Sequence, residues 1–194
     1  PYMTPDQMNY LLKFDSTYGR FKEFVETKKD YEQGKEVTHL VISDSIEVRI
    51  THEENFKDIP WGKSGVEYVI ECSGQCLTME RANEHLSVEG VSKVILSAPS
   101  KDSAVPIFVL GCNNTSYKPG TRALSNASCT TNCLAPIVKP LHDAFSITSG
   151  LMVTIHAYTN DQMLSDSYHS DLRRARSATQ SMIPTKTGAA AAVG

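Results

Sequence analysis

The sequence predicts an α/β fold organised around a doubly wound parallel sheet. Strand-like runs at 66–72 and 93–97 flank a helical segment at 78–86, and further strand-like runs follow at 106–111 and 122–125. This strand–helix–strand rhythm is typical of α/β proteins. The run 93–97 is mostly apolar, as expected for a parallel strand that helices cover on both faces. Ligands of such folds bind beyond the carboxyl ends of the strands.

Local signals predict the elements on the N-terminal side. A helix is expected over 5–14, with Thr4 as its N-cap and a proline in its first position. The stretch 22–34 is rich in charge and is expected to be exposed, ending in a turn. Two short strands at 37–42 and 46–50 are predicted to pair as a hairpin.

Length, charge and hydropathy indicate which classes of partner this protein does not bind. The length of 194 residues suits one domain or parts of two, with room for a hydrophobic core. The formal net charge is −3. Nucleic acid is not expected as the main partner, because binding its phosphate backbone needs a basic patch. No apolar run approaches the length of about 18 residues that spans a membrane, and no signal-peptide pattern is present. We therefore expect no membrane partner.

The cysteines indicate a reducing compartment, and a cytoplasmic location is expected. There are five of them, an odd number without the spacing of a disulfide framework. They include two C-x3-C pairs, Cys72 with Cys76 and Cys129 with Cys133. Neither pair is followed by a second regular Cys/His pair, so no metal site is predicted. Cys133 is expected to be a buried neighbour of Cys129 rather than a second nucleophile.

The stretch 125–136, Ser-Asn-Ala-Ser-Cys-Thr-Thr-Asn-Cys-Leu-Ala-Pro, carries the candidate chemistry. A predicted strand leads into a helix that begins at about Ser128 to Thr130 and continues through His142. Cys129 would lie in the first turn, where unpaired backbone N–H groups and the positive end of the helix dipole favour a thiolate. The alternative is that Cys129 is a buried packing residue, as many cysteines are.

A nucleophilic cysteine needs a base, and His156 is the candidate. It lies at the end of the β-rich run 151–156, which we predict to be a strand. A histidine at the end of a strand can face a cysteine at the start of a helix, and an imidazole can take and return a proton near neutral pH.

The segments around this pair carry weaker signals. The helix after Cys129 is predicted to bury one apolar face and to be kinked by Pro136 and Pro140; that face comprises Leu134, Ile137, Val138, Leu141 and Phe145. The loop 160–170 shows little periodicity. The arginines of 171–181 form either a solvated ion-pair set or an anion site. Residues 185–188 lead into an alanine-rich helix start, a second candidate anion site.

Together these motifs closely resemble those of phosphorylating glyceraldehyde-3-phosphate dehydrogenases of the bacterial type. The resemblance rests first on the twelve residues of 125–136 and on His-Ala-Tyr-Thr-Asn-Asp-Gln, which begins 27 residues after Cys129. Further matching segments follow in the family's order at 10–21, 97–100, 171–176 and 183–190. Twelve matching residues around a candidate nucleophile are a highly specific signal.

The resemblance implies two parts of a larger architecture. Residues 1–128 would be the C-terminal part of a Rossmann-type NAD(P)-binding domain, and residues 129–194 would begin an α+β catalytic domain. No G-x-G-x-x-G loop is present in the sequence. The resemblance places this Gly-rich unit, and the acidic residue that binds the ribose, upstream of Pro1. We therefore expect a fragment that is inactive alone, although its parent should turn over.

The implied activity is the oxidation and phosphorylation of glyceraldehyde 3-phosphate in glycolysis and gluconeogenesis, with hydride transfer to NAD. Cys129 would form a thioester with the substrate, while His156 would move the proton. Ser97 matches a cofactor-contacting position of the family. Two phosphate sites are implied by matched residues: Ser128, Thr130, Thr187 and Gly188 would line one, and Thr159 with Arg174 would line part of the other.

Two departures from the family pattern concern the cofactor. Glu54 falls where many members have an arginine near the adenine, so the resemblance does not imply that contact here. Ser167-Tyr168 stands where many NAD-using members have a Gly-Pro or Leu-Pro pair. Because the residue that binds the ribose is also outside this sequence, the choice between NAD and NADP stays open. The family normally forms homotetramers with the segment 160–178 at subunit contacts, and the same is expected of this chain.

Three other functions remain open on the sequence. A sister enzyme that acts on erythrose 4-phosphate would share the chemistry. A cysteine hydrolase would use Cys129 and His156 without a nicotinamide. A non-catalytic binding or scaffold protein descended from the enzyme would need neither residue.

Overall fold

The computed structural model describes residues 3–32, 34–43 and 45–193. Its helices are α1 (Pro5–Lys13), α2 (Met79–Leu86), α3 (Cys129–Phe145) and α4 (Ala189–Val193). Its strands are β1 (Phe14–Asp15), β2 (Gly19–Arg20), β3 (Val25–Glu32), β4 (Lys35–Ile42), β5 (Ile46–Ile50), β6 (Tyr68–Glu71), β7 (Lys93–Leu96) and β8 (Ala123–Ser125). One compact unit contains the chain up to Ile70 together with Thr78–Val94, and the other contains Glu71–Leu77 and the chain from Ile95 onward.

The first unit opens with α1, which has the predicted N-cap. The hydroxyl of Thr4 accepts a hydrogen bond from Gln7 N at 3.3 Å, and Thr4 N donates to Gln7 Oε1 at 2.8 Å. This reciprocal capping box, with Pro5 in the first turn, satisfies backbone donors that a helix start otherwise leaves unpaired.

An antiparallel sheet of order β3-β4-β5 follows in the same unit. The predicted hairpin is confirmed, since β4 pairs with β5 from Ile42↔Ile46 to Thr38↔Ile50. The segment 22–34 was expected only to be charged and exposed, but Val25–Glu32 forms a strand along the whole of β4. Its side chains are mostly exposed as expected. Cross-strand ion pairs support it, for example Lys28–Glu47 at 3.1 Å. The predicted turn includes Gln33, which lies outside the described residues.

A second sheet has the order β6-β7-β8. Lys93 N donates to Glu67 O at 3.2 Å, and Ser97 N donates to Glu71 O at 3.0 Å. Donors and acceptors advance along the chain in the same direction, so β6 and β7 run parallel. The helix α2 lies between them in sequence, with Thr78 as its N-cap. The predicted α/β arrangement of this segment is therefore confirmed.

The predicted strand at 106–111 is wrong. The chain forms only an isolated parallel bridge, Ile107↔Ser125, and turns at Leu110. Phe108 N donates to Ser125 O and Ser125 N donates to Pro106 O, both at 2.9 Å, so one edge of the run still bonds to β8. The Asn113 side chain occupies the other edge, where its Oδ1 accepts from Val109 N at 2.8 Å and its Nδ2 donates to Ile107 O at 2.9 Å. These backbone groups are thus paired locally instead of in a strand ladder.

Helix α3 begins where predicted but extends to Phe145 and runs through Pro136 and Pro140. The prediction that its apolar face is buried is wrong: Ile137 is 56% exposed and Phe145 is 77% exposed. The helix instead buries the face that carries Thr131 and Ala135. Ala135 packs there with Val109 and Ala127.

The segment 151–156 is not a strand, contrary to the prediction. Leu151, Val153 and Ile155 are exposed by 95%, 81% and 91%. A β-strand needs a neighbouring strand to pair its backbone groups, and no strand in the described ranges pairs with this segment. The loop 160–170 is irregular, as expected. In the described part of the chain, no helix is both long and apolar enough to cross a membrane.

Candidate active site

The candidate site begins at the turn between β8 and α3. Ser125 ends β8 and is fully buried. Its hydroxyl donates to Ala98 O at 2.7 Å and accepts from Ala127 N at 3.0 Å. Ala127 has a positive φ of 63°, an unfavourable conformation for a residue with a side chain. The buried hydroxyl holds this tight turn, which brings the helix start directly after the strand end.

The first turn of α3 is fixed by side chains on both sides of Cys129. Ser128 is the N-cap, and its Oγ accepts from Thr131 N at 3.0 Å. The amide Nδ2 of Asn132 donates to the carbonyl of Asn126 at 2.7 Å and to that of Ser128 at 2.9 Å. The role of Asn132 was missed by the sequence analysis, although its position four residues after the N-cap was a usable signal. Cys129 is thereby fixed as the first residue of the helix.

The N-cap should contribute measurably to stability. We expect Ser128→Ala to lower the free energy of unfolding of the full-length protein by about 1 kcal/mol, because Thr131 N loses its acceptor. Urea denaturation followed by circular dichroism measures this change. Ser128→Asn is the matched control, since asparagine is an equally good N-cap and should retain most of the stability. Equal stability of the alanine variant and the wild type would contradict the capping role.

Cys129 and His156 lie in hydrogen-bonding contact. The Sγ atom of Cys129 is 3.2 Å from Nε2 of His156. The other ring nitrogen, Nδ1, is 2.7 Å from the carbonyl oxygen of Ala157. Because a carbonyl only accepts hydrogen bonds, Nδ1 carries a proton. Nε2 is then the atom that exchanges a proton with the sulfur.

The pKa values of the two groups shift in opposite directions. The pKa of the Cys129 thiol is lowered, chiefly by the hydrogen bond with His156 and further by hydrogen bonds with Thr130, while partial burial opposes the shift. The pKa of His156 is raised, first by the hydrogen bond to the Ala157 carbonyl and then by the hydrogen bond and charge of Cys129. Both shifts favour a thiolate beside an imidazolium, and both side chains are exposed to solvent.

The residues predicted to bind phosphate make separate local contacts. Ser128 and Thr130 flank Cys129 in the first turn of α3. Thr159 and Thr187 are exposed and bond to their own neighbourhoods: the carbonyl of Thr159 accepts from Gln162 N at 3.0 Å, and Thr187 Oγ1 accepts from Ala189 N at 3.2 Å. Gly188 is exposed directly before α4. Within the described ranges, no hydrogen bond joins Thr159, Thr187 or Gly188 to Cys129 or His156.

Arg174 is held by partners that the sequence did not reveal. Its Nη1 lies 2.6 Å from Asp161 Oδ2, and its Nη2 donates to Thr185 Oγ1 at 2.9 Å. Its side chain is 22% exposed, against 48% for Arg173 and 62% for Arg176. Arg174 is therefore the most enclosed of the three arginines. No signal of periodicity pointed to Asp161 because it lies in an irregular loop.

Arg173 pairs with Asp171, whose carboxylate also lies 4.0 Å from Arg174 Nε. It makes a bidentate contact with Asp171, with distances of 3.0 and 2.8 Å. This contact lowers the pKa of the Asp171 carboxyl to about 2. Arg176 pairs with Asp166 at 2.7 Å. Both arginines are thus parts of local ion pairs.

Ser97 lies where the sequence placed it, directly after β7. It is exposed, and its N–H donates to Glu71 O at 3.0 Å. The side chain of Glu71 is buried and accepts from Ser73 N at 2.8 Å and from Cys76 N at 3.3 Å. This carboxylate shapes the loop after β6, in which Gly74 has a φ of +73° and open space around it. A ribose or amide could approach the backbone there.

Cys133 is exposed, contrary to the expectation that it is buried. It lies on the open side of α3, where the described part of the chain provides no cover. In residues 3–32, 34–43 and 45–193, no group of three or more His, Cys, Asp or Glu side chains could hold a metal ion.

Two family models match the chain. The model described as glyceraldehyde 3-phosphate dehydrogenase, NAD binding domain, matches residues 2–79. The model described as glyceraldehyde 3-phosphate dehydrogenase, C-terminal domain, matches residues 128–194. The second match begins at the N-cap of α3 and includes both Cys129 and His156.

Relatives of the same name match along nearly the whole chain. A plasmid-encoded glyceraldehyde-3-phosphate dehydrogenase of Cupriavidus necator is 49% identical over 95% of this chain and 52% of its own length. The enzyme of Borreliella burgdorferi is 45% identical over 98% of this chain and 55% of its own, and that of Aspergillus niger is 46% identical over 100% and 54%. The chain spans about half the length of the curated relatives it matches. With an α/β fold and this helix start in place, the chain belongs to the glyceraldehyde-3-phosphate dehydrogenase family.

Proposed function

We propose that the full-length protein is a phosphorylating glyceraldehyde-3-phosphate dehydrogenase of glycolysis and gluconeogenesis. The observation that carries this proposal is the 3.2 Å contact between Cys129 Sγ and His156 Nε2 at the N-terminus of α3. An exposed thiolate with a proton-exchanging partner is the arrangement that covalent catalysis at a carbonyl requires.

The first half of the reaction uses the pair directly. The Cys129 thiolate attacks the aldehyde carbon, a C–S bond forms, and the carbonyl oxygen takes a proton from the His156 imidazolium. His156, now neutral, removes the same hydroxyl proton while the carbon loses a hydride, which leaves a thioester on Cys129. The Ala157 carbonyl fixes the ring orientation for both transfers, because it holds the Nδ1 proton.

NAD is the cofactor we propose, since the matching family model is described as an NAD binding domain. NAD, when bound, supplies the nicotinamide carbon that accepts the hydride. Ser97 and the open loop at Gly74 fit such a group: both are exposed, and Gly74 has nothing within 4 Å of the position of a Cβ. They lie at the carboxyl ends of parallel strands, where α/β sheets bind nucleotides.

The second half of the reaction uses inorganic phosphate. A phosphate oxygen attacks the thioester carbon, the C–S bond breaks, and Cys129 leaves as a thiolate beside His156. We propose Ser128, Thr130, Thr187 and Gly188 for one phosphate group and Thr159 with Arg174 for the other. Hydroxyls, backbone N–H groups and a guanidinium are good donors to phosphate oxygens. Asp161 and Thr185 support Arg174 by fixing its guanidinium.

We propose a domain boundary between residues 128 and 129, which the start of the C-terminal family match at residue 128 supports. We also propose that these 194 residues do not turn over alone, since they span about half of the related enzymes. A homotetramer is proposed with 160–178 at subunit contacts, because Leu164, Tyr168 and Leu172 there are exposed by 70%, 89% and 81%. Sedimentation of the full-length protein tests its oligomeric state.

A cytoplasmic location is proposed because all five cysteines are free thiols, as is usual in a reducing compartment. We propose small molecules as the partners of this site and neither membrane nor nucleic acid. The net charge of −3 supports the absence of nucleic acid.

The decisive experiment measures NADH formation by the full-length protein with glyceraldehyde 3-phosphate, NAD and inorganic phosphate. We expect a signal that requires all three, because the thioester is released only by phosphate attack. Replacing NAD with NADP and the substrate with erythrose 4-phosphate tests cofactor and substrate preference in the same assay. Faster turnover of erythrose 4-phosphate would assign the protein to the sister activity. No reduction of either cofactor would contradict the proposal and favour a hydrolase or a binding protein.

A further inference from the structure

A buried histidine lies in an aromatic cluster of the first unit. His85, on α2, is only 2% exposed. Trp61 Nε1 donates a hydrogen bond to its Nδ1 at 3.1 Å. The ring of Phe56 stacks on the imidazole with centroids 4.3 Å apart and planes inclined by 20°. The guanidinium of Arg81 lies 4.4 Å from the Phe56 centroid on the same stack.

The bond with Trp61 fixes the protonation state of His85. The indole N–H can only donate, so Nδ1 of His85 must present a lone pair, and the neutral ring carries its proton on the other nitrogen. An imidazolium would place a second N–H opposite the indole N–H. Protonating Nδ1 therefore breaks the Trp61–His85 hydrogen bond and leaves a charge in a buried site.

The two aromatic partners of His85 lie beside consecutive short turns. Phe56 begins the 3-10 turn Phe56–Asp58, and Trp61 directly precedes the 3-10 turn Gly62–Ser64. The backbone approaches the end of α2 closely here, since a Cβ at Gly62 would lie 2.5 Å from the carbonyl oxygen of Glu89. Because this segment is packed so closely, the Trp61 ring has little room to turn away from His85 within the closed arrangement.

The charged groups on the surrounding elements bond to other residues or are exposed to solvent. On α2, Arg81 forms an ion pair with Glu84, and Glu80 is exposed. On the facing turns, Asp58 accepts from Asn55 at 2.7 Å, while Lys57 and Lys63 are exposed. Glu89, after α2, is exposed as well.

We propose that the Trp61–His85 pair is an acid-sensitive latch that holds residues 56–64 against α2. The latch is closed when His85 is neutral and opens when Nδ1 is protonated. Its contribution to stability is fully present above the pKa of an unfolded histidine, about 6.5, and is lost progressively as the pH falls below it. If the native state cannot bind the proton, the folding equilibrium constant falls by up to about 30-fold between pH 8 and pH 5.

The test uses the full-length protein and two readouts. In protein labelled with [15N]tryptophan, the indole N–H signal assigned by its loss in Trp61→Phe reports on the bond. We expect that signal to shift or broaden between pH 8 and pH 5. Urea denaturation at both pH values measures the matching loss of stability. His85→Asn keeps an acceptor near the position of Nδ1 but cannot titrate. Its folding equilibrium constant should therefore fall less than that of the wild type between pH 8 and pH 5, by a factor of up to about 30.

His52→Asn is the control, because His52 is exposed in the same unit and is not part of the Trp61–His85 pair, so the pH-dependent change of the indole signal should persist in this variant. Identical pH dependence of the wild type and His85→Asn would overturn the proposal. Should His85→Asn fail to fold, the wild-type indole signal decides: a signal that stays constant from pH 8 to pH 5 rejects the latch.

Discussion

Cys129→Ser is expected to remove NADH formation by the full-length protein almost completely, by about 10,000-fold or more. A serine hydroxyl in the same place has no accessible alkoxide near neutral pH, whereas the pKa of the Cys129 thiol is lowered by His156. The substitution changes one atom and keeps the N-terminal turn of α3 intact. The loss should therefore appear in the chemical step and not in the stability of the fold.

The chain offers a matched control one turn along the same helix. Cys133 is also an exposed free thiol, but no hydrogen bond to a histidine involves it in the described part of the chain. Cys133→Ser should keep nearly full activity. Alkylation with iodoacetamide should modify Cys129 first and inactivate the protein in proportion to its modification. Substantial activity in Cys129→Ser, or equal loss in both variants, would mean that the reaction does not pass through a bond to Cys129.

The sequence predicted the helix starts well because their signals are local. Thr4 and Ser128 each accept a hydrogen bond from a backbone N–H three residues later, so the motif and the contact occupy the same few residues. The position of Cys129 in the first turn followed directly from that. The tight turn held by the Ser125 hydroxyl could not be predicted in this way, because Ala98, the second partner of that hydroxyl, is 27 residues away in the sequence.

The errors arose where the structure of a segment depends on residues outside it. Strand β3 lacks an alternating apolar pattern, and only its pairing with β4 reveals it as a strand. The run 106–111 has strand composition, yet the Asn113 amide satisfies its backbone locally. The 3.2 Å contact of Cys129 with His156 was anticipated as a partnership. The ion pair of Arg174 with Asp161 was not, since two residues of an irregular loop share no periodicity.

The second large effect concerns His156. We expect His156→Asn to lower turnover by about 100- to 10,000-fold, the range typical of losing a general acid–base group. The hydrogen bond with His156 is the largest cause of the lowered pKa of Cys129. Without it, the midpoint of the pH dependence of alkylation should rise toward that of an ordinary cysteine, about 8.5. Stopped-flow alkylation and turnover, both measured from pH 5 to pH 10, give the two quantities.

The two measurements separate activation of the thiol from proton transfer. If His156 only lowered the pKa of Cys129, raising the pH above 9 would restore turnover in His156→Asn, because the thiolate would then form unaided. We expect turnover to stay low at high pH, since the hydroxyl proton still lacks an acceptor when the hydride leaves. His142→Asn, an exposed histidine near the end of α3, is the control and should match the wild type in both profiles. An unchanged alkylation midpoint in His156→Asn would instead assign the lowered pKa to the N-terminus of α3, where Thr130 and the helix dipole act on the sulfur without help from the imidazole.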